Sequence, residues 1–184
     1  MKYYFTFLLS QLLLSQGCNN SKSKEATETV KQKANTGSIQ TKVPDIQFTL
    51  PPHWFRTDTI VNEAPVCLLM KGNPDDNFKP IINTNTEYMN GRTHQEYMVA
   101  AQSGLTSIVT GVELLKKGEL EISGNKCLWY NYYRTRGEIK RYMIFYSIPV
   151  NGTAYTITAA VNAEGLEKYR PIFDQIVQSF RLVN

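Results

Sequence analysis

The chain has 184 residues, of which 42% are apolar and 20% are charged, so it can form a packed core and is not wholly disordered. Its net charge of +4 is too small and too dispersed to indicate nucleic-acid binding. The length predicts one domain. The chain has only 2 His and 3 Cys, all far apart, so we expect neither a metal site nor a cofactor.

Residues 1–17 predict a secretory signal peptide. Lys2 precedes an apolar stretch from Tyr3 to Leu14, about a dozen residues long, whereas a bilayer-spanning helix needs roughly 20. The stretch ends in Leu14-Ser15-Gln16-Gly17-Cys18, which resembles the lipoprotein box of bacterial signal peptides. That resemblance implies acylation of Cys18 and a lipid anchor in the membrane. The alternative is an ordinary secretory peptide with an incidental cysteine.

The next segment, residues 18–43, is predicted to be a flexible linker that starts at lipidated Cys18. It contains no aromatic residue and only Val30 and Ile39 as large aliphatics before Val43. Such a segment buries too little apolar surface to offset its chain entropy. It lacks the acidic cluster of some surface-exported bacterial lipoproteins, which favours a periplasm-facing location. The folded domain is then expected over residues 44–184.

Strand-like runs begin after the linker. Alternation with period two, bounded by turn residues, predicts strands over Ile46–Leu50, His53–Arg56, Val66–Lys71, Ile81–Tyr88 and Gly111–Ile122. Three further runs predict an antiparallel meander: Lys126–Thr135, Ile139–Ile148 and Thr153–Val161. The Asn151-Gly152 pair between the last two is a strong hairpin signal, because both residues tolerate positive φ.

Two segments follow the helical period instead. Thr93-His94-Gln95-Glu96 has the form of a capping box, and an apolar stripe follows it: Tyr97, Ala101, Leu105 and Ile108. A second stripe lies near the C-terminus: Leu166, Tyr169, Phe173, Ile176, Val177 and Phe180. Pro171 suits the first turn of a helix, so the main C-terminal helix is expected to begin there, after a short preceding turn. Both stripes are typical of core packing.

This order of elements predicts an α+β domain with helices packed on an antiparallel β-sheet. Its opening, Phe48-Thr49-Leu50-Pro51 followed by His53-Trp54, and its closing segment from Tyr169 to Arg181 resemble the PsbP-like and DcrB-like superfamily. The resemblance covers roughly Asp45 to Leu182. It implies an αβα sandwich, as in the extrinsic subunit of photosystem II, the DcrB-like lipoproteins and a Ran-binding nuclear import factor. Members of this superfamily mostly bind proteins, so the resemblance implies no shared active site.

The residues that could carry chemistry form no recognisable constellation. His53 and His94 accompany no nucleophile-elbow sequence and no metal-ligand spacing, so we expect no catalytic residue and no metal site. Asp75-Asp76 is interpreted as a solvated turn. Cys67 and Cys127 either pair in an oxidising compartment or stay free. Asp58-Thr59-Ile60 matches a short bacterial O-glycosylation acceptor pattern.

The meander supplies the candidate binding surface: Tyr130, Tyr132, Tyr142, Tyr146, Arg136 and Lys140. Both faces of its strands are rich in apolar or aromatic residues. Either helices cover both faces, or the tyrosines form an exposed patch for a partner. Arg136 and Lys140 flank the hairpin at Gly137, where they are either solvated or in contact with lipid headgroups or an acidic partner.

Together these features predict a non-enzymatic bacterial cell-envelope lipoprotein that binds a protein partner or assists an envelope complex. Two alternatives remain open at this stage. One is a carrier of a small apolar ligand in a cleft between sheet and helix; the other is an enzyme with an unrecognised site that acts on envelope material. A deep apolar cavity would favour the carrier, and a flat aromatic surface would favour the binder.

Overall fold

The computed structural model describes residues 46–61, 64–72 and 79–183. The predicted signal peptide, Cys18, the linker and the Asp75-Asp76 turn lie outside the described residues. The elements, in chain order, are β1 (Ile46–Gln47), β2 (Trp54–Val61), β3 (Ala64–Lys71), β4 (Ile81–Tyr88), α1 (His94–Ile108), β5 (Val112–Ile122), β6 (Asn125–Arg136), β7 (Ile139–Val150), β8 (Thr153–Asn162), α2 (Leu166–Gln178) and β9 (Arg181–Leu182).

Seven of the described strands form one sheet, in the order β2-β3-β4-β8-β7-β6-β5, with every neighbouring pair antiparallel. Strands β6, β7 and β8 are consecutive neighbours, which confirms the predicted meander. Asn151 and Gly152 between β7 and β8 have φ values of 48° and 77°, the conformation that their sequence indicated. Strand β9 was not predicted; it pairs with β1 in a separate two-stranded sheet.

Helix α1 covers one face of the sheet. The predicted capping box is confirmed: the backbone N–H of Glu96 donates to Thr93 Oγ1 at 3.3 Å, and the Thr93 N–H donates to Glu96 Oε2 at 2.8 Å. The helix packs on large side chains of β6 and β7 and on small ones of β8: Tyr130, Tyr132, Met143, Phe145, Ala154 and Ala160.

Helix α2 covers the opposite face, after a 3₁₀ turn at Ala163–Gly165. The expected helix start at Pro171 is wrong, because the helix begins at Leu166 and Pro171 lies inside it. Pro171 removes one backbone hydrogen bond from the helix. The preceding turn nevertheless buries Tyr169 completely and packs Leu166 against the core, which offsets that loss.

The core under α2 is strongly aromatic. The ring of Phe173 lies 6.2 Å from that of Trp54 and 6.3 Å from that of Tyr169, and Phe48 lies 5.8 Å from Phe180. With one helix on each face, the domain is an α+β sandwich, as predicted. In the described part of the chain, neither helix is long and apolar enough to cross a bilayer.

Candidate binding surfaces beside α1 and at the β6–β7 hairpin

A groove of about 310 Å³ lies between α1 and the edge strand β5. It forms because α1 packs over β6, β7 and β8 and leaves most of β5 exposed to solvent. Three elements line it: Gln95, Met98, Val99 and Gln102 from α1; Lys117, Gly118 and Glu119 from β5; Leu128, Trp129 and Tyr130 from β6. The groove is thus an apolar channel with amide and charged groups on its sides.

Gly118 lies in the part of β5 that borders this groove, but a side chain there would point to the α2 face of the sheet, because Gly118 pairs with Trp129. A Cβ atom at this position would lie 2.8 Å from Cζ2 of Trp129, so the indole ring packs against the bare backbone of the edge strand. A register shift between Leu114 and Lys117 interrupts the β5–β6 pairing just before this point. Such a bulge twists an edge strand and discourages edge-to-edge pairing with another chain. We therefore treat the groove, and not the strand edge, as the candidate binding feature.

Val99 and Tyr130 are the two groove residues with unusual surroundings. Val99 is 59% exposed, although it is a large aliphatic residue on a helix wall. Tyr130 is 2% exposed, and its hydroxyl has no hydrogen-bond partner among the described residues. Burial raises the pKa of Tyr130 well above its ordinary value, so the phenol stays protonated and able to donate. The groove therefore offers apolar contact, and the Tyr130 hydroxyl is a buried donor inside the core.

The buried carboxyl group of Glu87 lies close to the first turn of α1. The Tyr97 hydroxyl donates to Glu87 Oε2 at 2.9 Å, and burial raises the pKa of Glu87. Burial, and then the Glu87 charge, raise the pKa of Tyr97. The pair holds α1 against β4 through a hydrogen bond in a poorly solvated site.

The four predicted surface tyrosines do not form an exposed patch. Tyr130 and Tyr132 are buried under α1, whereas Tyr142 and Tyr146 are buried under α2, on the opposite face. That interpretation of the tyrosines is therefore wrong. The reason is that each face of the meander is covered by a helix, the alternative that the sequence also allowed.

Two of these tyrosines bind α2. Arg170 Nη1 donates to the Tyr142 hydroxyl at 2.7 Å, and Asn131 Nδ2 donates to the same oxygen at 2.6 Å. The Tyr146 hydroxyl donates to Asp174 Oδ1 at 2.9 Å, and Asp174 accepts from Arg170 as well. Their polar ends are therefore used within the fold, to fix the position of α2 on the sheet.

Arg136 and Lys140 are both exposed at the end of the β6–β7 hairpin, but they lie on opposite faces. Lys140 Nζ lies 3.4 Å from Glu113 Oε2 and 4.0 Å from the centre of the Tyr133 ring, on the α2 side. Arg136 lies on the α1 side with Arg134. The basic group that appears continuous in the sequence is thus divided between two faces.

The histidines do not build a nucleophilic site. His94 Nε2 lies 3.1 Å from Ser147 Oγ, the distance of a nucleophile–base pair, but Ser147 is completely buried. Burial lowers the pKa of His94, so it is neutral at pH 7. His53 lies in the turn before β2 with φ of 67°. Within residues 46–61, 64–72 and 79–183, no group of three or more His, Cys, Asp or Glu could hold a metal ion.

Cys67 and Cys127 are free and buried. They lie on β3 and β6, which are separated by three strands, so at about 4.8 Å per strand spacing they are about 19 Å apart. A disulfide requires Cα atoms within about 7 Å. Burial raises the pKa of Cys67 to about 11 and that of Cys127 to about 12.

These thiols are expected to be unreactive in the native protein. At pH 8 both are protonated, and raising the pH should not accelerate alkylation by iodoacetamide until it approaches 11. Mass spectrometry after labelling should find Cys67 and Cys127 unmodified in buffer and both modified in denaturant. A bridge between them, or fast native labelling at pH 8, would contradict the structure.

Thr59 of the glycosylation pattern lies on the edge strand β2 and is half-buried. The neighbouring Asp58 carboxylate accepts from Arg56 Nε at 2.7 Å. Modification of this site stays a prediction.

No protein-family model matches the sequence, and a search of the curated proteins finds no match. Solved structures do match in fold. LpqN of Mycobacterium tuberculosis, which is involved in cell envelope biogenesis, is 13% identical with a TM-score of 0.61, and covers 79% of this chain and 87% of its own.

Two further structures are similar at the same level. Cyanobacterial PsbP (CyanoP) from Synechocystis is 11% identical with a TM-score of 0.55, covering 80% of this chain and 98% of its own. The Saccharomyces cerevisiae Ran-binding protein Mog1p is 12% identical with a TM-score of 0.55, covering 76% and 91%. Likeness at such identity shows the fold alone: this domain has the PsbP/Mog1-like fold, as the sequence motifs indicated.

Proposed function

We propose that this chain is a non-enzymatic cell-envelope lipoprotein whose PsbP/Mog1-like domain binds a protein partner. The fold is shared with a Ran-binding protein and with a protein involved in cell envelope biogenesis. Both likenesses concern the fold, so they support a binding module without naming its partner. The signal-peptide and lipobox pattern supports the envelope location and the lipid anchor at Cys18.

The groove beside α1 is the observation that carries the proposal. Protein interfaces are built around apolar or aromatic anchors that fill pockets, with polar groups at the rim. The groove provides Met98 and Leu128 as apolar lining and Gln95, Lys117 or Glu119 at its sides. We infer that it receives an apolar side chain of a partner segment, and that the exposed Val99 contacts the same segment.

Photo-crosslinking in cells can test this assignment. A photoreactive phenylalanine analogue at Val99 should capture one reproducible partner, because Val99 borders the groove and is 59% exposed. The matched control is Ile60, which is 60% exposed but lies on β2, at the opposite edge of the sheet. A second change, Gln102→Phe, fills the groove and should reduce capture from position 99 about tenfold or more.

Capture at Ile60 equal to that at Val99 would contradict a partner at the groove. So would capture from position 99 that Gln102→Phe leaves unchanged. Lipidation is tested separately: mass spectrometry of the purified chain should find Cys18 as the acylated N-terminus. An unmodified Cys18 would remove the anchor and leave the binding proposal intact.

A carrier of a small apolar ligand is the second candidate, and one observation favours it. The groove volume of about 310 Å³ is at the lower limit of ligand pockets, which is about 300–1,000 Å³. A carrier predicts that native mass spectrometry detects a bound small molecule that Gln102→Phe displaces. A protein binder predicts an empty groove in the purified chain.

A further inference from the structure

Three arginines form a compact block on the α1 face of the β6–β7 hairpin. Arg134 lies directly opposite Arg141, and Arg136 lies directly opposite Ile139. Residues two apart on a strand share a face, so the four side chains form two adjacent cross-strand pairs. Like charges directly opposite each other destabilise a sheet. Three guanidinium groups are thus concentrated on one face at the hairpin end.

The surroundings of the arginine block increase the repulsion between its like charges. Arg141 is only 7% exposed, and its pKa is lowered first by burial and then by the charges of Arg134 and Arg136. The pKa of Arg134 is lowered by burial and by Arg136. A hollow of about 30 Å³ lies among these residues and Ile139. One water needs about 10–15 Å³ of such space, so the hollow has room for an oxygen of an anionic group.

The hairpin end projects from the sheet. Pairing with β5 stops at Arg134, and pairing with β8 stops at Arg141. The Thr135 N–H still donates to the carbonyl oxygen of Gly111, the residue before β5, at 2.9 Å, so residues 136–140 are the segment that extends past both neighbouring strands. Ile139 on this segment is 51% exposed. Ile108, the last residue of α1, is 61% exposed and lies at the same end, because only three residues connect it to β5.

We propose that this end of the domain docks on anionic phospholipids, with headgroup phosphate oxygens bound by the arginine block and Ile139 and Ile108 in contact with the interface. Guanidinium groups match phosphate oxygens with paired hydrogen bonds. Basic groups beside exposed aliphatic side chains are the combination that binds an anionic membrane surface. The proposal depends neither on acylation of Cys18 nor on a partner at the groove.

Vesicle co-sedimentation of the full chain tests the proposal. Binding is compared between vesicles of phosphatidylcholine alone and vesicles that also contain phosphatidylglycerol. A lipid anchor contributes equally to binding of both vesicle types. The ratio of binding to the phosphatidylglycerol vesicles over binding to the phosphatidylcholine vesicles therefore measures headgroup recognition. Each arginine lost should reduce the ratio about fivefold, as expected for one basic residue at an anionic surface.

The variants are Arg136→Gln and the double change Arg134→Gln/Arg136→Gln, with circular dichroism to verify folding. Buried Arg141 is left in place. The matched control is Lys126→Gln, which also removes one positive charge. Lys126 lies at the other end of β6, about 30 Å from the arginine block. Its side chain is 63% exposed. This control should leave the ratio unchanged.

Two results would overturn the proposal. The first is no preference of the unaltered chain for anionic vesicles; if glycerol phosphate then shifts the Arg136 side-chain NMR signal, soluble phosphate is the ligand. The second is an equal loss in Lys126→Gln, because it would reduce the effect to net charge.

Discussion

Phe173→Ala should reduce the free energy of unfolding by about 3–5 kcal/mol, the loss typical of deleting a buried aromatic ring. Phe173 is completely buried on α2, between the rings of Trp54 and Tyr169. Its truncation leaves a cavity that rigid aromatic neighbours fill poorly. Urea denaturation should report the loss as a lower midpoint with an unchanged m-value.

The control for this prediction is Ile60→Ala, which truncates an aliphatic side chain that is 60% exposed. Its effect should stay within about 0.5 kcal/mol. If Phe173→Ala cost no more than Ile60→Ala, α2 would not pack on the sheet as described. In that case Tyr142 would not accept a hydrogen bond from Arg170, and Tyr146 would not donate one to Asp174.

Gly111→Ala should destabilise the domain by about 3 kcal/mol for two additive reasons. Gly111 has φ of +72°, a conformation that costs roughly 1–2 kcal/mol for other residues. A Cβ there would also overlap the carbonyl oxygen of Thr135, and the β6 backbone cannot move away without losing its pairing. Thermal or urea unfolding gives the measurement.

Gly91→Ala is the matched control, because Gly91 has φ of +76° but no atom within 4 Å of a new Cβ. This variant should lower the free energy of unfolding only by the cost of the positive φ, about 1–2 kcal/mol. The difference between the two variants isolates the contact with Thr135. Equal losses would contradict the close approach of the α1–β5 connection to the β6–β7 hairpin.

Much of the local structure could be predicted because it depends on neighbours in the sequence. The capping box at Thr93 needs only Glu96 three residues later, and the turn at Asn151-Gly152 needs only its two residues. Strict alternation along β6 also assigns Cys127 and Trp129 to one face and Tyr130 to the other, as the structure has them. The closing motif indicated the fold.

Other features depend on contacts between distant segments, and here sequence reasoning was incomplete. The start of α2 was misplaced because burial of Tyr169 and packing of Leu166 outweigh the local preference of Pro171 for a first turn. Whether Cys67 could meet Cys127 depended on strand order, which places three strands between them. A cleft between sheet and helix was raised only as an alternative, without its place or lining residues, and the exposed position of Val99 in the helical pattern was a signal for it.

The sequence by itself thus determined the α+β sandwich, the alternation of faces along the meander, and the basic hairpin end. Only the tertiary structure decided that the four tyrosines are buried, that Arg136 and Lys140 lie on different faces, and that the edge strand β5 stays open beside α1. The physical reason is that periodicity specifies which side chains share a face, whereas exposure depends on which helix covers that face and how far it extends.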